Sequence, residues 1–405
     1  MGRRWRLIVL WCAGIGAASG LLVAGFDWLV EDQMLPALFD LPVWFVAVAP
    51  TIGLGLTALT LRYFRAAPST SDSFIAAFHG REVLGLRHAA PRAIGAVATL
   101  GTGGALGLEG PSMFFGASTG AFLQRRFSRL VRGADPKLLL VAGAAAGVAA
   151  IFKAPATGAI FALEVPYQDD LARRMLLPAL VGAASGYLAF VAVQGTDPLF
   201  AVEGAPPFSF PDLLGALVLG VAAGSGARVL SATLRLAKRT AATVAATPRV
   251  LAAGAVLGGC LVLGRVVTDE NIALGPGGDA LRWALAPDRS VGALLAILVI
   301  RSIATTSTVA GGGVGGLFIP LVVAGGCLGR AAGELVPAAD ADLFPVLGVA
   351  AFLGAGYRTP LAAVIFVAET TGAPGFVVPG LLAAVAAELV MGRSSVSAEQ
   401  VVATN

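Results

Sequence analysis

The sequence has little charge and few of the side chains that soluble enzymes use. Only 13% of its 405 residues are charged, two are histidine and three are cysteine, whereas 57% are hydrophobic. The mean hydropathy of +0.84 is too high for a soluble domain, so the composition excludes that class. No cysteine or histidine has the spacing of a metal site. We therefore predict a membrane protein with no metal and no cofactor.

Long apolar runs take the place of charge. The runs 7–26, 43–61 and 376–391 are long enough, or nearly so, to cross the hydrocarbon core of a bilayer. We count about ten to fourteen such segments, several of them short. The sequence therefore predicts an all-α polytopic membrane protein, whose immediate surroundings are the lipid bilayer.

The basic residues lie in short loops between the apolar runs. "MGRRWR" precedes the first run, the acidic stretch 27–40 follows it, and "LRYFR" follows the second. This distribution is typical of the positive-inside rule and predicts a cytoplasmic N-terminus in a cell membrane, the inner or plasma membrane. It also explains the net charge of +4 without a nucleic-acid partner.

An internal repeat divides the chain. The stretch 143–164 matches 348–369 at an offset of 205, so that Lys153 corresponds to Arg358 and Glu164 to Glu369. At an offset of 209, 107–120 matches 316–329. Duplicated membrane units are common in transporters, with the site between the halves. We predict a first membrane repeat over 1–205 and a second over 206–405, which together form one transmembrane domain.

One charge interrupts an apolar stretch. The only charged residue of "GTGGALGLEGPSMFFGASTG" (101–120) is Glu109. It lies among glycines that each destabilise a helix by about 1 kcal/mol. A helix break at membrane depth is tolerated only inside the protein or beside a wet cavity. The helix that starts near Pro111 would direct its free N–H groups at that cavity, and "GVGGLFIP" (313–320) predicts a second such start. These breaks predict an anion site, with Glu109 as an anion mimic that competes for it.

Other polar residues allow more than one interpretation. "PSTSD" (68–72) offers hydroxyls on the cytoplasmic side, and its Asp72 fits a helix N-cap as well as a pore residue. Glu109 could instead be a buried structural carboxylate. Glu164 and Glu369 occur in both halves, which favours a structural role in satisfying helix ends. Lys153 and Arg358 are expected to face polar loops.

Three of these motifs, in this order, resemble the CLC family of chloride channels and transporters. "GLEGP" (107–111) is similar to the family's gating-glutamate motif, "GGLFIP" (315–320) to its Gly-x-Phe-x-Pro anion motif, and "KAPATGAIFALEV" (153–165) to a helix of the first half. The resemblance spans nearly the whole chain. It implies a fold of two inverted-topology repeats of tilted and broken helices.

The resemblance also implies a function and a site. A CLC protein is a homodimer with one pore in each subunit and passes chloride or a similar small inorganic anion. Glu109 would be the external gating glutamate. The backbone around Gly110, Phe318 and Ile319 would bind the anion.

The sequence departs from the family pattern at several site positions. The motif Gly-Ser-Gly-Ile-Pro is absent, which leaves Ser69, or its rival Ser71, as the counterpart of the anion-binding serine. The central tyrosine aligns with Val396, which predicts a wider inner gate. The internal proton-transfer glutamate aligns with Val165, a residue found in channel members. The family has a basic residue directly before the gating glutamate, whereas this sequence has Leu108 there.

These departures favour a gated, uncoupled chloride channel. The alternative is a proton-coupled anion exchanger that uses Glu109 and a non-standard inner proton route, in which Glu164 could take part. An intramembrane enzyme would need paired catalytic groups inside the apolar runs, and the sequence offers only isolated carboxylates, so we expect no enzymatic activity. The chain ends soon after its last apolar run, which predicts no CBS domain.

Overall fold

The computed structural model of the chain describes residues 3–68, 70–127, 135–197, 208–335 and 343–403. Seventeen α-helices form in these ranges. They are α1 Arg3–Asp27, α2 Leu35–Phe39, α3 Val43–Phe64, α4 Ser71–Phe78, α5 Leu86–Leu100, α6 Glu109–Arg126, α7 Leu138–Phe152, α8 Pro155–Glu164, α9 Leu176–Gln194, α10 Phe210–Thr243, α11 Ala246–Thr268, α12 Gly278–Leu285, α13 Val291–Ala310, α14 Phe318–Leu335, α15 Leu343–Tyr357, α16 Pro360–Thr371 and α17 Val377–Met391.

The architecture confirms the predicted all-α class. Among the described residues, β-structure is limited to two isolated bridges, and short π and 3₁₀ turns join some helices. Seven helical stretches in these ranges are long and apolar enough to cross a membrane. Four shorter apolar helices in these ranges, α7, α15, α16 and α17, correspond to shorter apolar runs of the sequence. The chain is a multi-pass membrane protein.

The two halves repeat the same helices at the offsets read from the sequence. α6 and α14 are both 18 residues long and begin at Glu109 and Phe318. α7 and α15 are both 15 residues long, and each is followed by a helix that begins with proline, Pro155 or Pro360. The junction between 205 and 206 falls within residues 198–207, which lie outside the described ranges, so the domain boundary stays a prediction.

The centre of the molecule is built from two short helices that never meet lipid. Every residue of α7 and α15 is buried, and 15 residues span only about 22 Å, less than the thickness of the hydrocarbon core. Gly116 of α6 and Gly143 of α7 bring their backbones together, since a Cβ on either would overlap the other's carbonyl. Gly325 and Gly348 repeat this contact between α14 and α15. Small residues thus pack the core helices closely.

The repeated glutamates cap each other's helices. Glu164 at the end of α8 accepts hydrogen bonds at 3.1 and 2.8 Å from the first N–H groups of α16. Glu369 on α16 accepts bonds at 2.9 and 2.8 Å from the first N–H groups of α8. Each carboxylate satisfies otherwise free donors and complements a helix dipole. The structural role predicted for Glu164 and Glu369 is confirmed.

The repeated basic residues lie where the paired helices break. Lys153 and Arg358 have left-handed backbones, with φ of 51° and 56°, between α7 and α8 and between α15 and α16. Lys153 donates to the carbonyl of Asp197 at 2.9 Å, and Arg358 donates to that of Gln168 at 3.0 Å. Both side chains therefore reach loop carbonyls, as predicted.

Candidate functional site

Two glycine-rich breaks meet in the middle of the protein. One separates α5 from α6 and the other separates α13 from α14. Gly107 and Gly316 pair through two backbone hydrogen bonds, at 2.9 and 2.7 Å, one in each direction. This bridge sets the first turns of α6 and α14 side by side, so the free N–H groups of two helix starts share one small volume.

The Glu109 carboxylate occupies that volume. Its Oε1 accepts a hydrogen bond of 2.6 Å from the Phe318 backbone N–H, and the N–H of Ile319 also faces the carboxylate. Glu109 is 1% exposed, and among the described residues Oε2 has no hydrogen-bond partner. A negative group thus sits at the positive end of α14, where two backbone donors would otherwise bind an anion.

Glycine makes room for this carboxylate. A Cβ on Gly107 would overlap Oε2 of Glu109, and a Cβ on Gly316 would overlap Oε1. Gly110, in the first turn of α6, lies close to Gly316, and a Cβ there would come within 2.6 Å of Thr70 Oγ1. The glycines of both breaks therefore form a cradle, which we define as Gly107, Gly110 and Gly316.

Aromatic rings close the site on one side. The Phe318 ring packs against Phe152, Phe161 and Phe366, with centroids 4.2, 5.3 and 4.9 Å apart. Phe161 and Phe366 are equivalent residues of the two repeats, one on α8 and one on α16. This wall excludes water from the N-terminus of α14 and strengthens the electrostatic attraction there.

A cavity of about 230 Å³ lies next to the site; we call it the vestibule. Its charged lining residues are Asp72 and Lys238. The remaining lining residues are Pro68, Thr70, Ser71, Leu106, Ala241, Ala242, Val309, Gly313, Gly315, Leu317, Tyr357 and Val396. Gly315 and Leu317 lie within the three residues before α14, so the vestibule reaches close to the Glu109 carboxylate.

The three hydroxyl residues of "PSTSD" differ in what the structure shows of their positions and contacts. Ser69 lies outside the described residues, so its predicted role stays a prediction. Ser71 begins α4 and lines the vestibule. Thr70, which sequence reasoning missed, is 2% exposed and donates to the Gly315 carbonyl at 3.1 Å. Thr70 thereby ties the start of α4 to the second glycine-rich break.

A tyrosine lines the vestibule beside Val396, and it comes from α15. Val396 lines the vestibule, and its N–H donates to the Gly356 carbonyl at 2.9 Å, which places it beside Tyr357. The Tyr357 hydroxyl hydrogen-bonds with the Ser71 side chain and with the Leu317 backbone. The wider inner gate expected from Val396 stays a prediction, but a tyrosine from a neighbouring element lines the same cavity.

Val165 and Glu164 offer no ionisable group to the vestibule. Val165 is the residue directly after α8, is 0% exposed, and its carbonyl accepts a 3.0 Å hydrogen bond from Gln400. Both oxygens of Glu164 are used by the start of α16, as described above. Asp72 is different, because it lines the vestibule and pairs with Lys238, which favours the pore interpretation over a simple N-cap.

Sequence comparisons match the chain to known proteins over most of its length. The family described as "Voltage gated chloride channel" matches residues 52–392. The "H(+)/Cl(-) exchange transporter ClcA" of Citrobacter koseri is 29% identical over 410 residues, covering 94% of this chain and 85% of the relative. The transporter of the same name from Yersinia pestis is 27% identical, covering 95% and 84%.

Solved structures share the fold. A slow cyanobacterial Cl⁻/H⁺ antiporter superimposes with a TM-score of 0.83 at 21% identity, covering 96% of this chain and 95% of that one. A CLC-type fluoride/proton antiporter gives a TM-score of 0.81 at 23% identity, with 98% of both chains covered. With the family match over residues 52–392, these findings show that the chain belongs to the voltage gated chloride channel family, the CLC family of anion transport proteins.

Proposed function

We propose that this protein passes chloride or a similar small anion across the membrane under the control of Glu109. The observation that carries the proposal is the 2.6 Å hydrogen bond from the Phe318 N–H to the Glu109 carboxylate. The carboxylate holds the donors that an anion would use, so it and the anion compete for one place. Protonation removes the charge of the carboxylate, weakens its hold on the helix start and frees the site.

The family membership supports proposals on the oligomeric state, the membrane and the orientation of the chain. We propose a homodimer with one pore in each subunit, located in the cell membrane with the N-terminus in the cytoplasm. The loop charges support that orientation, in which the vestibule opens to the cytoplasm. The function proposed is transport, and none of the roles assigned to these residues involves enzymatic catalysis.

We further propose that anion flow is not coupled to protons. Coupling requires a protonatable group that exchanges protons with Glu109 from the inner side. Val165 cannot bind a proton, and the neighbouring Glu164 is held by two backbone N–H groups of α16. A carboxylate fixed as a helix cap is poorly suited to carry protons, because each protonation would break the cap.

Proton-coupled exchange is the second candidate, and three observations favour it. Tyr357 lines the vestibule beside Val396, so a tyrosine is present on the inner side although Val396 is not one. Asp72 supplies a titratable carboxylate in the vestibule. The Citrobacter koseri and Yersinia pestis relatives are named as exchange transporters.

A proton-pumping assay separates the two candidates. Liposomes that contain the purified protein are loaded with chloride and diluted into low chloride, and the external pH is followed. Uncoupled flow predicts anion efflux with no proton uptake into the liposomes beyond the leak of protein-free liposomes. Stoichiometric proton uptake against a proton gradient, abolished in Glu109→Gln, would establish exchange and reject uncoupled flow.

Tyr357 should contribute to anion binding at the inner gate. Tyr357→Phe keeps the ring that packs edge-on against Phe161 at 5.4 Å but removes the hydroxyl next to Ser71. One hydrogen bond to a charged group contributes about 1.5 to 3 kcal/mol, so chloride affinity should fall by about tenfold or more in calorimetric titration. Tyr187→Phe, on α9 away from the vestibule lining, is the matched control. Equal affinities for Tyr357→Phe and wild type would remove the hydroxyl from the anion path.

A further inference from the structure

Among the described residues that line the vestibule, one side chain is cationic, that of Lys238, and it pairs with a carboxylate. Lys238 on α10 donates to Asp72 Oδ2 at 2.6 Å and to the Val396 carbonyl at 2.8 Å. Ser397 donates to the other oxygen of Asp72 at 2.6 Å. The cluster joins three separate parts of the chain, namely α4, α10 and the C-terminal segment, at the wall of a single cavity.

The cluster is accessible without being fully solvated. The Lys238 side chain is 31% exposed and that of Asp72 is 17% exposed. A lysine ammonium has three N–H donors, and the two contacts above use two of them. With respect to the part of the chain that the structure describes, one donor therefore remains for a ligand in the cavity. The cavity volume of about 230 Å³ accommodates an anion together with several water molecules.

The arrangement repeats the chemistry of the Glu109 site with different residues. Asp72 lies in the first turn of α4, so this carboxylate also rests at a helix N-terminus. Its partner is a side-chain cation, whereas Glu109 has only backbone donors. At both sites, a carboxylate accepts hydrogen bonds from donors that could also bind a small anion. Ser71, which precedes Asp72, connects the cluster to Tyr357 at the end of the path toward Glu109.

We propose that Lys238 forms a second, recruiting anion site in the vestibule, and that Asp72 is its resident competitor. An anion that enters the vestibule takes the free donor of Lys238 and weakens the contact between Lys238 and Asp72. The anion then moves on to Ser71, Tyr357 and the Glu109 site. The ligand is a small monovalent anion such as chloride. The inference rests on the proposed function, because it adds a step to the same path.

Opposite effects of two substitutions test the proposal. Lys238→Gln removes the cation and leaves Asp72 as an uncompensated negative charge, so it should raise the chloride concentration for half-maximal efflux from liposomes by about threefold or more. Asp72→Asn keeps the side-chain size but frees Lys238, so it should lower that concentration. Lys238→Arg keeps the charge and should stay close to wild type.

The opposite signs distinguish recruitment from a structural ion pair. If the pair only holds α4 to α10, both neutral variants lose the same contact and should change in the same direction, which would overturn the proposal. An unchanged chloride concentration for half-maximal efflux in both Lys238→Gln and Asp72→Asn would overturn the proposal as well. If Lys238→Gln fails to fold, the direction of the Asp72→Asn effect decides. Arg282→Gln breaks an exposed pair with Asp279 on α12 and should leave half-saturation unchanged.

A Glu109→Gln measurement in the same liposomes keeps this test separate from that of the proposed function. If Glu109→Gln accelerates efflux but the two vestibule variants do not shift in opposite directions, recruitment by Lys238 fails while gating by Glu109 stands. If Glu109→Gln has no effect on efflux, the proposed function itself fails.

Discussion

Glu109→Gln should release chloride from loaded liposomes about tenfold faster than wild type at neutral pH. Glutamine keeps the length of the side chain but loses its charge. A hydrogen bond to a charged acceptor contributes about 1.5 to 3 kcal/mol and one to a neutral acceptor about 0.5 to 1.5 kcal/mol. The difference of about 1.4 kcal/mol corresponds to a tenfold shift toward the state in which the side chain has left the helix start.

Wild type and Glu109→Gln should also differ in the pH dependence of chloride efflux. Lowering the pH neutralises the wild-type carboxylate and should raise its rate, whereas the Glu109→Gln rate should stay flat. Glu270→Gln, an exposed position beyond the end of α11, is the control for charge removal and should behave like wild type. If Glu109→Gln retained the wild-type rate and pH response, Glu109 would be a structural carboxylate.

Gly107→Ala should suppress chloride efflux by at least about tenfold, because an overpacked site destabilises its contents by about 1 to 3 kcal/mol. The added Cβ overlaps the place of the Glu109 carboxylate. An anion that uses the same place meets the same methyl group. The backbone conformation at Gly107 is not left-handed, so alanine adds bulk without backbone strain.

The informative background for Gly107→Ala is Glu109→Ala, in which no carboxylate remains to be displaced. Efflux should fall there too, since the methyl group blocks the anion directly. Gly259→Ala on α11 is the matched control, because a Cβ at Gly259 meets nothing within 4 Å. If Gly107→Ala left efflux unchanged in the Glu109→Ala background, the anion would pass through a different place from the carboxylate.

The repeat and the helix breaks could be predicted because each depends on local chemistry. Glycines and a proline end one helix and start the next wherever they occur, so the position of Glu109 at a helix start followed from its neighbours. The equivalent glutamates Glu164 and Glu369 pointed to matching structural roles, and they cap each other's helices. The anion-binding roles of Gly110, Phe318 and Ile319 still depend on the proposed function.

The place of Tyr357 in the vestibule could not be predicted, because the vestibule is lined by residues far apart in the chain. Val396 suggested a wider opening, but Tyr357, 39 residues earlier, lines the same cavity. The repeat held a usable signal, since Tyr357 matches Phe152, whose ring stacks on Phe318 at 4.2 Å. The pair of Lys238 and Asp72 left no signal, because 166 residues separate its members and no motif contains both.

The most direct test of competition at the Glu109 site is a calorimetric titration of chloride into purified wild type and Glu109→Gln across a range of pH. The account predicts that chloride binds Glu109→Gln tightly at every pH, and that wild-type affinity rises toward that value as the pH falls. Equal and pH-independent chloride affinities of the two proteins would contradict the claim that carboxylate and anion share one site.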